Sequence, residues 1–474
     1  MQNADPVFGL VDAKADDFTA LSDRVFDMPE TLYAEFRSVA EHKAMLQLQG
    51  FRITENVAGL PTAVMGEYGE EGPLIAFLGE FDALPALSQE PGVAEHTPIE
   101  AGGAGHGCGH NLLGAGALLA ATAVKDWLEA SGVKARVRYY GCPAEEGGAA
   151  KAFMVRDGAF EGVDAAISWH AATFTGVNEA RSLANARIDF TFTGKAAHAA
   201  GAPELGRSAL DACELMNIGV NYMREHMPDD ARVHYAYLDA GGVAANVVQA
   251  RAVVRHLVRA TDLPTLQNLM DRVKKIAEGA ALMTETKVEH RVYSGVSNLL
   301  GNRPLEETMQ TVLESLGPVP FDDADKAFAE DIRKTLTPQD IAASFRRIGQ
   351  KTPPDLPLCD FVAPLDRPGH GGEGSTDVGD VSWATPTVQC RVATCAVGTP
   401  FHTWQTVAQG KAPAAHKGMI YAAKTMAATA AALIRDPARL ADAKATHAAH
   451  LAETPYVCPI PEGVAAPIIP QSAS

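Results

Sequence analysis

The stretch from Ala104 to Ala121, AGHGCGHNLLGAGALLAA, decides how the rest of the chain is read. Cys108 and His110 stand two apart in a glycine-rich loop, and the apolar run of small residues behind them predicts a buried helix over about 111–130. A thiolate and an imidazole held at the start of a helix are donors for a borderline divalent metal. What else reaches that loop settles whether it is used.

Working outward, the apolar segment Pro73–Leu78 reads as a buried strand that runs into Glu80-Phe81-Asp82. A second strand, Ala135–Tyr140, leads to Pro143-Ala144-Glu145-Glu146, and a third, Ala165–Trp169, ends in His170. Three strands thus deliver ligand-type side chains at their C-terminal ends. In an open α/β sheet, sites form along that edge. Upstream, residues 17–49 carry helical patterning broken at Met28-Pro29-Glu30, and Phe51–Glu67 reads as two short strands.

From Arg187 the texture changes. Ile188–Phe192 alternates as a half-exposed strand, Ser208–Met223 is helical, and Val233–Leu238 and Arg251–Arg259 are strands. A helix over Leu263–Met283 and a strand over Lys287–Tyr293 complete the order βαββαβ of a ferredoxin-like sandwich. The fold class expected is therefore α/β: a mixed sheet between helices, in a catalytic metal-binding domain of residues 1–186 and 301–474, with an inserted lid and dimerisation domain over 187–300. Helices are expected over 305–350, then a Gly/Pro-rich loop over Lys351–Gly379 and a strand over Thr387–Thr394. A loop holding His402, an Ala-rich helix over Pro413–Ile434 and an extended, proline-rich surface tail from Glu453 end the chain.

Composition narrows the function class. With 474 residues, 40 basic and 58 acidic side chains and a net charge of −18, the chain suits a soluble protein and not a nucleic-acid or anionic-membrane surface. No apolar run is long enough to span a bilayer and the N-terminus lacks the layout of a secretion signal, so a cytoplasmic protein is expected. The seven cysteines are scattered and form no CxxC pair, which fits reduced thiols.

The chemistry lies in Cys108, His110, Glu145, Glu146, His170 and His402. Singly, each has a plain explanation: a core cysteine, a structural histidine, a solvated glutamate pair. Jointly, at strand ends and glycine-rich loops, they supply the five or six donors that two metals share. The Glu145-Glu146 doublet is informative because one carboxylate can bind metal while its neighbour accepts a proton.

The motifs GHGCGHN, PAEEGG, the SWH that ends at His170, GKAAHA around His198, and GTPFHTW around His402 resemble those of the metallo-amidohydrolase and peptidase family that includes aminoacylases, carboxypeptidase G and the indoleacetyl-amino-acid hydrolases. The resemblance covers nearly the whole chain, from the segment near Pro29 through GSTDVGDVSW at Gly374 to the CPIP at Cys458. It implies that Cys108, His110, Glu146, His170 and His402 hold two divalent ions, zinc or manganese, and that Glu145 is the general base. Relatives carry His-x-Asp where this chain has Glu80-Phe81-Asp82, so Asp82 is implied to steady a metal-bound histidine and Glu80 is not carried over as a ligand. Relatives also follow Cys-Gly-His with Asp where this chain has Asn111, which leaves the bridging group open.

His198 is implied to reach across a dimer interface and hold the developing oxyanion. Asn246, Arg255, Ser375 and Thr376 are candidate substrate contacts. The expected activity is hydrolysis of the amide bond of an N-acyl amino acid, foremost an aroyl-glutamate such as p-aminobenzoyl-glutamate, by a homodimer or with a homologous second subunit. A related action on another aromatic amide or amine is the alternative. A nucleotide-binding reading fails because no G-x-G-x-x-G or G-x-x-x-x-G-K-[ST] is complete. A cysteine hydrolase would need a histidine from elsewhere in the fold. A non-catalytic partner protein would not be expected to keep every ligand together with Glu145.

Overall fold

The computed structural model describes residues 5–349, 356–367 and 374–468, so the loop expected over Lys351–Gly379 lies partly outside the described residues. Among them the strands are β1 (Arg52–Glu55), β2 (Val64–Tyr68), β3 (Leu74–Glu80), β4 (Arg136–Cys142), β5 (Ala165–Ala172), β6 (Gly176–Val177), β7 (Ala184–Thr193), β8 (Arg232–Asp239), β9 (Arg251–Ala260), β10 (Lys287–Val296) and β11 (Thr387–Ala393). Seven form a sheet in the order β1-β2-β4-β3-β5-β11-β6, and four form another in the order β10-β7-β9-β8.

In the larger sheet β4, β3, β5 and β11 run parallel, while the β1–β2, β2–β4 and β11–β6 pairings are antiparallel. Every residue of β3 is buried, as expected of a strand covered on both faces. Ile75 and Phe77 pack with Leu112 and Leu119 of the helix His110–Ser131 and with Met419 of the helix Pro413–Arg435. Ala76 and Leu78 face the opposite layer, with Phe153 and Met154 of the helix Ala150–Arg156 and with Val381. Truncating a side chain such as Phe77 to alanine in this setting costs about 3–5 kcal/mol.

The small residues of the opening stretch let its helix approach the sheet. A Cβ on Gly114 would sit 2.5 Å from the Glu80 carbonyl oxygen, and one on Gly116 would sit 3.1 Å from Trp169 Nε1. Trp169 Nε1 donates to Leu113 O at 3.0 Å, which fixes the helix against β5. Helix and strand ends are thereby locked in register around the site.

The smaller sheet is antiparallel throughout, and its two helices, Ala209–Met223 and Leu263–Thr284, cover one face. The chain order strand-helix-strand-strand-helix-strand and the spatial order β10-β7-β9-β8 are those of a ferredoxin-like sandwich. Phe190 and Val254 meet Met216 and Leu269 in its core.

Some local readings change. His170 does not end β5; the strand continues to Ala172, because its ladder with β11 runs on through the His170–Arg391 pair whatever the side-chain polarity. The helices Pro6–Asp12, Val378–Ala384 and Pro437–Glu453 were not anticipated. The tail after Glu453 is held as well as laid on the surface: Ile460 is buried and Arg156 Nη1 donates to the carbonyls of Pro461 and Val464. Among the described residues no helix is long and apolar enough to cross a membrane.

Candidate metal centre

The C-terminal ends of β3, β4, β5 and β11 converge with the N-terminus of the helix His110–Ser131. Cys108 Sγ lies 3.4 Å from His170 Nε2. The ligand atoms of Cys108, His110 and His170 all lie within 4.8 Å of one another, and so do those of Cys108, Glu146 and His402. Cys108 belongs to both sets. A third set at the same spacing joins Glu80, His110 and Glu145.

The imidazoles are oriented by what their other nitrogens touch. His110 Nδ1 lies 3.0 Å from Asp82 Oδ1 and 3.1 Å from the Asp82 carbonyl oxygen, so Nδ1 carries the proton and Nε2 points inward. His170 Nδ1 donates to the Ala171 carbonyl at 2.7 Å, which likewise frees Nε2. His402 sits at the mouth, half exposed, with a left-handed backbone (φ +62°); its N–H donates to Gly107 O at 2.8 Å and its Nε2 lies 3.2 Å from Glu146 Oε1.

Two buried polar atoms here, His110 Nε2 and Glu146 Oε1, make no aligned hydrogen bond and have ion-pair neighbours instead, Glu80 Oε2 and His402 Nε2 respectively, each at 3.2 Å. A buried polar atom without a partner costs about 1–3 kcal/mol, and a cation between these donors would satisfy both. The charge balance agrees. Glu80, Glu145 and Asp377 face one buried lysine, Lys151, whose Nζ lies 2.7 Å from Glu80 Oε1 and 2.6 Å from Asp377 Oδ1, and Asp82, whose charge acts on Glu35 and Glu146, adds further negative charge to the site. Thiol, imidazole and carboxylate donors in this arrangement fit two divalent ions.

Electrostatics follow from that crowding. Burial and the charges of Glu80, Glu146 and Asp377 push the Glu145 carboxyl well above the usual range. Burial acts the same way on Glu146, but His402 and His110 outweigh it and hold its carboxyl low. Burial and Glu146 push the Cys108 thiol up, so without a cation it stays protonated near neutrality. Burial and Arg391 bring His170 down to about 3, leaving it neutral with a lone pair to give.

The six residues singled out in the sequence are thus brought together, with Asp82 behind His110. Asn111 is turned away: its Nδ2 donates to Ser22 Oγ at 3.0 Å and to Gly410 O at 3.2 Å. His198, Asn246, Arg255, Ser375 and Thr376 make no hydrogen bond or ion pair with the cluster. His198 is exposed on the smaller sheet's side of the molecule, and its Nδ1 accepts the N–H groups of Ala200 and Gly201, which leaves Nε2–H as an outward donor. The Asn246 carbonyl pairs with Ala199 N beside it. Arg255 is held by Asp189 at 2.6 and 2.9 Å and lies over Tyr293. Thr376 Oγ1 accepts the Val378 N–H, a capping contact at the start of the helix Val378–Ala384.

Sequence reasoning missed the supports. Glu35 Oε1 accepts the Ala144 N–H at 2.9 Å, Tyr33 OH donates to Gly148 O at 2.8 Å, and Asp377 Oδ2 accepts the Lys151 N–H. No local pattern marks Glu35 or Tyr33; Lys151 had only its place just after the glutamate doublet as a signal.

Residues 76–352 match the model of peptidase family M20/M25/M40. The chain is 46% identical over 464 residues to the B subunit of p-aminobenzoyl-glutamate hydrolase from Escherichia coli (strain K12), covering 96% of each chain. The other subunit of that hydrolase is 31% identical over 276 residues, covering 55% of this chain and 61% of its own length. Among solved structures the fold is similar to a dinuclear metal-binding M20 peptidase from Bacillus subtilis, with a TM-score of 0.58, 15% identity, and 90% and 99% of the two chains covered. The family expected from GHGCGHN, PAEEGG and GTPFHTW is the one found. A family model over more than half of the chain, and a relative matched almost end to end, make this protein a member of peptidase family M20/M25/M40.

Proposed function

We propose that the protein is a metal-dependent amidase that cleaves an aroyl-glutamate, p-aminobenzoyl-glutamate foremost. The observation that carries this reading is the pair of donor sets that share Cys108 beside the buried Glu145. Cys108, His110 and His170 would hold one ion, and Cys108, Glu146 and His402 the other, Cys108 being common to both sets. Asn111, engaged by Ser22 and Gly410, would not be a ligand. Zinc and manganese both suit these donors.

When bound, the ions supply Lewis acidity at the carbonyl and lower the pKa of water. The chain's own residues do the rest. Glu145, raised by burial and its acidic neighbours, takes the proton of the attacking water and passes it to the leaving amine. Asp82 holds His110 in the tautomer that presents Nε2. His198, with its Nδ1 engaged by two N–H groups, presents Nε2–H to the oxyanion of a second protomer's substrate. Asn246, Arg255, Ser375 and Thr376 are the candidate substrate contacts.

Residues 187–300 serve as the lid and dimerisation domain in this reading, and 1–186 with 301–474 as the catalytic domain. Support for an intersubunit contact comes from β8, an edge strand that leaves Tyr235, Tyr237 and Leu238 exposed, with Tyr222 exposed on the neighbouring helix. The partner is a second copy or a homologous second subunit, as the two-subunit name of the Escherichia coli relative suggests.

The test is a substrate panel: p-aminobenzoyl-glutamate, indoleacetyl-aspartate, N-acetyl amino acids and dipeptides, each with zinc or manganese, with released amine or aryl acid measured. The reading expects p-aminobenzoyl-glutamate to be cleaved with the highest kcat/KM. A clear preference for a substrate without an aroyl group would overturn the assignment of substrate, and no hydrolysis at all would overturn the activity.

A further inference from the structure

The loop that carries Glu145 and Glu146 follows an uncommon backbone path. Ala144 and Ala149 have φ of +55° and +57°, and Gly147 between them has +127°. A left-handed non-glycine residue costs roughly 1–2 kcal/mol, so two alanines in this region persist only where outside contacts fix them. Those contacts are side chains bonded to the loop backbone. Glu35 takes the Ala144 N–H, Asp82 takes the Glu146 N–H at 2.9 Å, and Tyr33 donates to Gly148 O.

The fourth is Arg187, whose Nη1 donates to Gly147 O at 2.6 Å. The guanidinium is seated against the loop itself: a Cβ on Gly147 would fall 2.5 Å from Nη1. Tyr33, Glu35 and Asp82 belong to segments around the larger sheet, whereas Arg187 projects from β7 of the smaller one. On the same face of that sheet, Arg255 is taken up by Asp189. Arg187 makes no ion pair with a carboxylate among the described residues, although its acceptor follows the two glutamates directly.

We propose that Arg187 is a positioning residue: it ties the inserted four-stranded sheet to the Glu145–Glu146 loop and holds that loop in its working shape. This inference rests on the roles proposed above for the two glutamates. It makes the loop's geometry depend on the placement of the smaller sheet, because removing the guanidinium removes the one side-chain tie among the four that crosses from it. The other use of such a guanidinium, direct contact with a substrate carboxylate, leaves a different signature: it acts on KM and leaves the loop undisturbed.

The experiment compares the full-length protein with Arg187→Ala, Arg187→Lys and Arg187→Gln, after confirming metal content and melting temperature. Amide hydrogen exchange is followed in peptides covering residues 142–150, and steady-state kinetics are measured with and without ethylguanidinium. The proposal expects faster exchange in that peptide for Arg187→Ala with the rest of the chain unchanged. It also expects kcat to fall about tenfold to a hundredfold while KM changes little, with partial recovery in Arg187→Lys or on adding ethylguanidinium. Unchanged exchange in the loop would overturn it, and so would a rise in KM at constant kcat. Should Arg187→Ala not fold, Arg187→Gln keeps a polar side chain at this half-buried position and reads the same contrast. A wild-type protein that cleaves nothing in the panel would sink the activity, and the exchange comparison would still decide the role of Arg187.

Discussion

Asp82 and His110 form the contact on which the centre turns: Asp82 Oδ1 lies 3.0 Å from His110 Nδ1, and both side chains are buried. The second carboxylate oxygen accepts the Glu146 N–H at 2.9 Å, so one side chain fixes both the His110 ring and the backbone of Glu146, two residues proposed above as ligands. Replacing Asp82 with alanine is expected to weaken metal binding by about 10- to 100-fold, the usual effect of losing the partner of a metal-bound histidine. Competition against a chromophoric chelator measures it; wild-type affinity would refute the role given to Asp82.

Glu145 and Glu146 are neighbours to which the proposed function gives different work. Glu145→Gln keeps the size of the side chain and removes the proton acceptor, so turnover should fall by roughly 10² to 10⁴ while two ions still bind. Glu146→Gln should lower metal content instead, because His402 and the Cys108 set lose their carboxylate. Metal analysis beside kcat separates the two, and an active Glu145→Gln variant would remove Glu145 from the mechanism.

Metal affinity should rise with pH. In the metal-free protein burial and Glu146 keep Cys108 protonated, and binding requires its thiolate, so each bound ion set displaces that proton. His170, brought down to about 3, is already neutral and releases none, whereas His110, raised against burial by Cys108 and Asp82, has a second proton to give up. The sign is therefore a gain of about tenfold in affinity per pH unit for each proton displaced, across the neutral range. Titration calorimetry in buffers of different ionisation enthalpy counts the protons; affinity independent of pH would mean that neither Cys108 nor His110 gives up a proton to the ions.

His198 tests the shared site. His198→Ala should lower kcat without loss of metal, since it makes no bond to the cluster in its own chain. Mixing and re-forming dimers from His198→Ala and Glu145→Gln proteins should restore part of the activity, because one site of the mixed dimer keeps both groups. No recovery after verified exchange would refute the shared site.

The elements that carry ligands were legible because burial and chemistry coincide there. Leu74–Leu78 is an unbroken apolar run, and polar residues at its end, at Glu145-Glu146 and at His170 stand out against it. The βαββαβ order of the smaller sheet was legible from alternation in β7 and from the apolar faces of its helices. The supports were not. Glu35 meets Ala144 across 109 residues and Lys151 meets Asp377 across 226, so no local pattern announces either pair. The helix Pro437–Glu453 escaped because only Leu440, Ala443 and His447 of it are buried, too few for a clear stripe. Arg255 drew attention as a charge on a strand, yet its bidentate contact with Asp189 is visible only once β7 and β9 are paired in register.

The most direct test of the central claim, a Cys108-centred pair of ions that drives amide hydrolysis, is to strip the purified protein with a chelator and follow cleavage of p-aminobenzoyl-glutamate as zinc or manganese is returned. The account predicts no turnover in the stripped protein and recovery that saturates at about two ions per chain, as expected of a two-metal hydrolase. Full activity after complete removal of metal would contradict it.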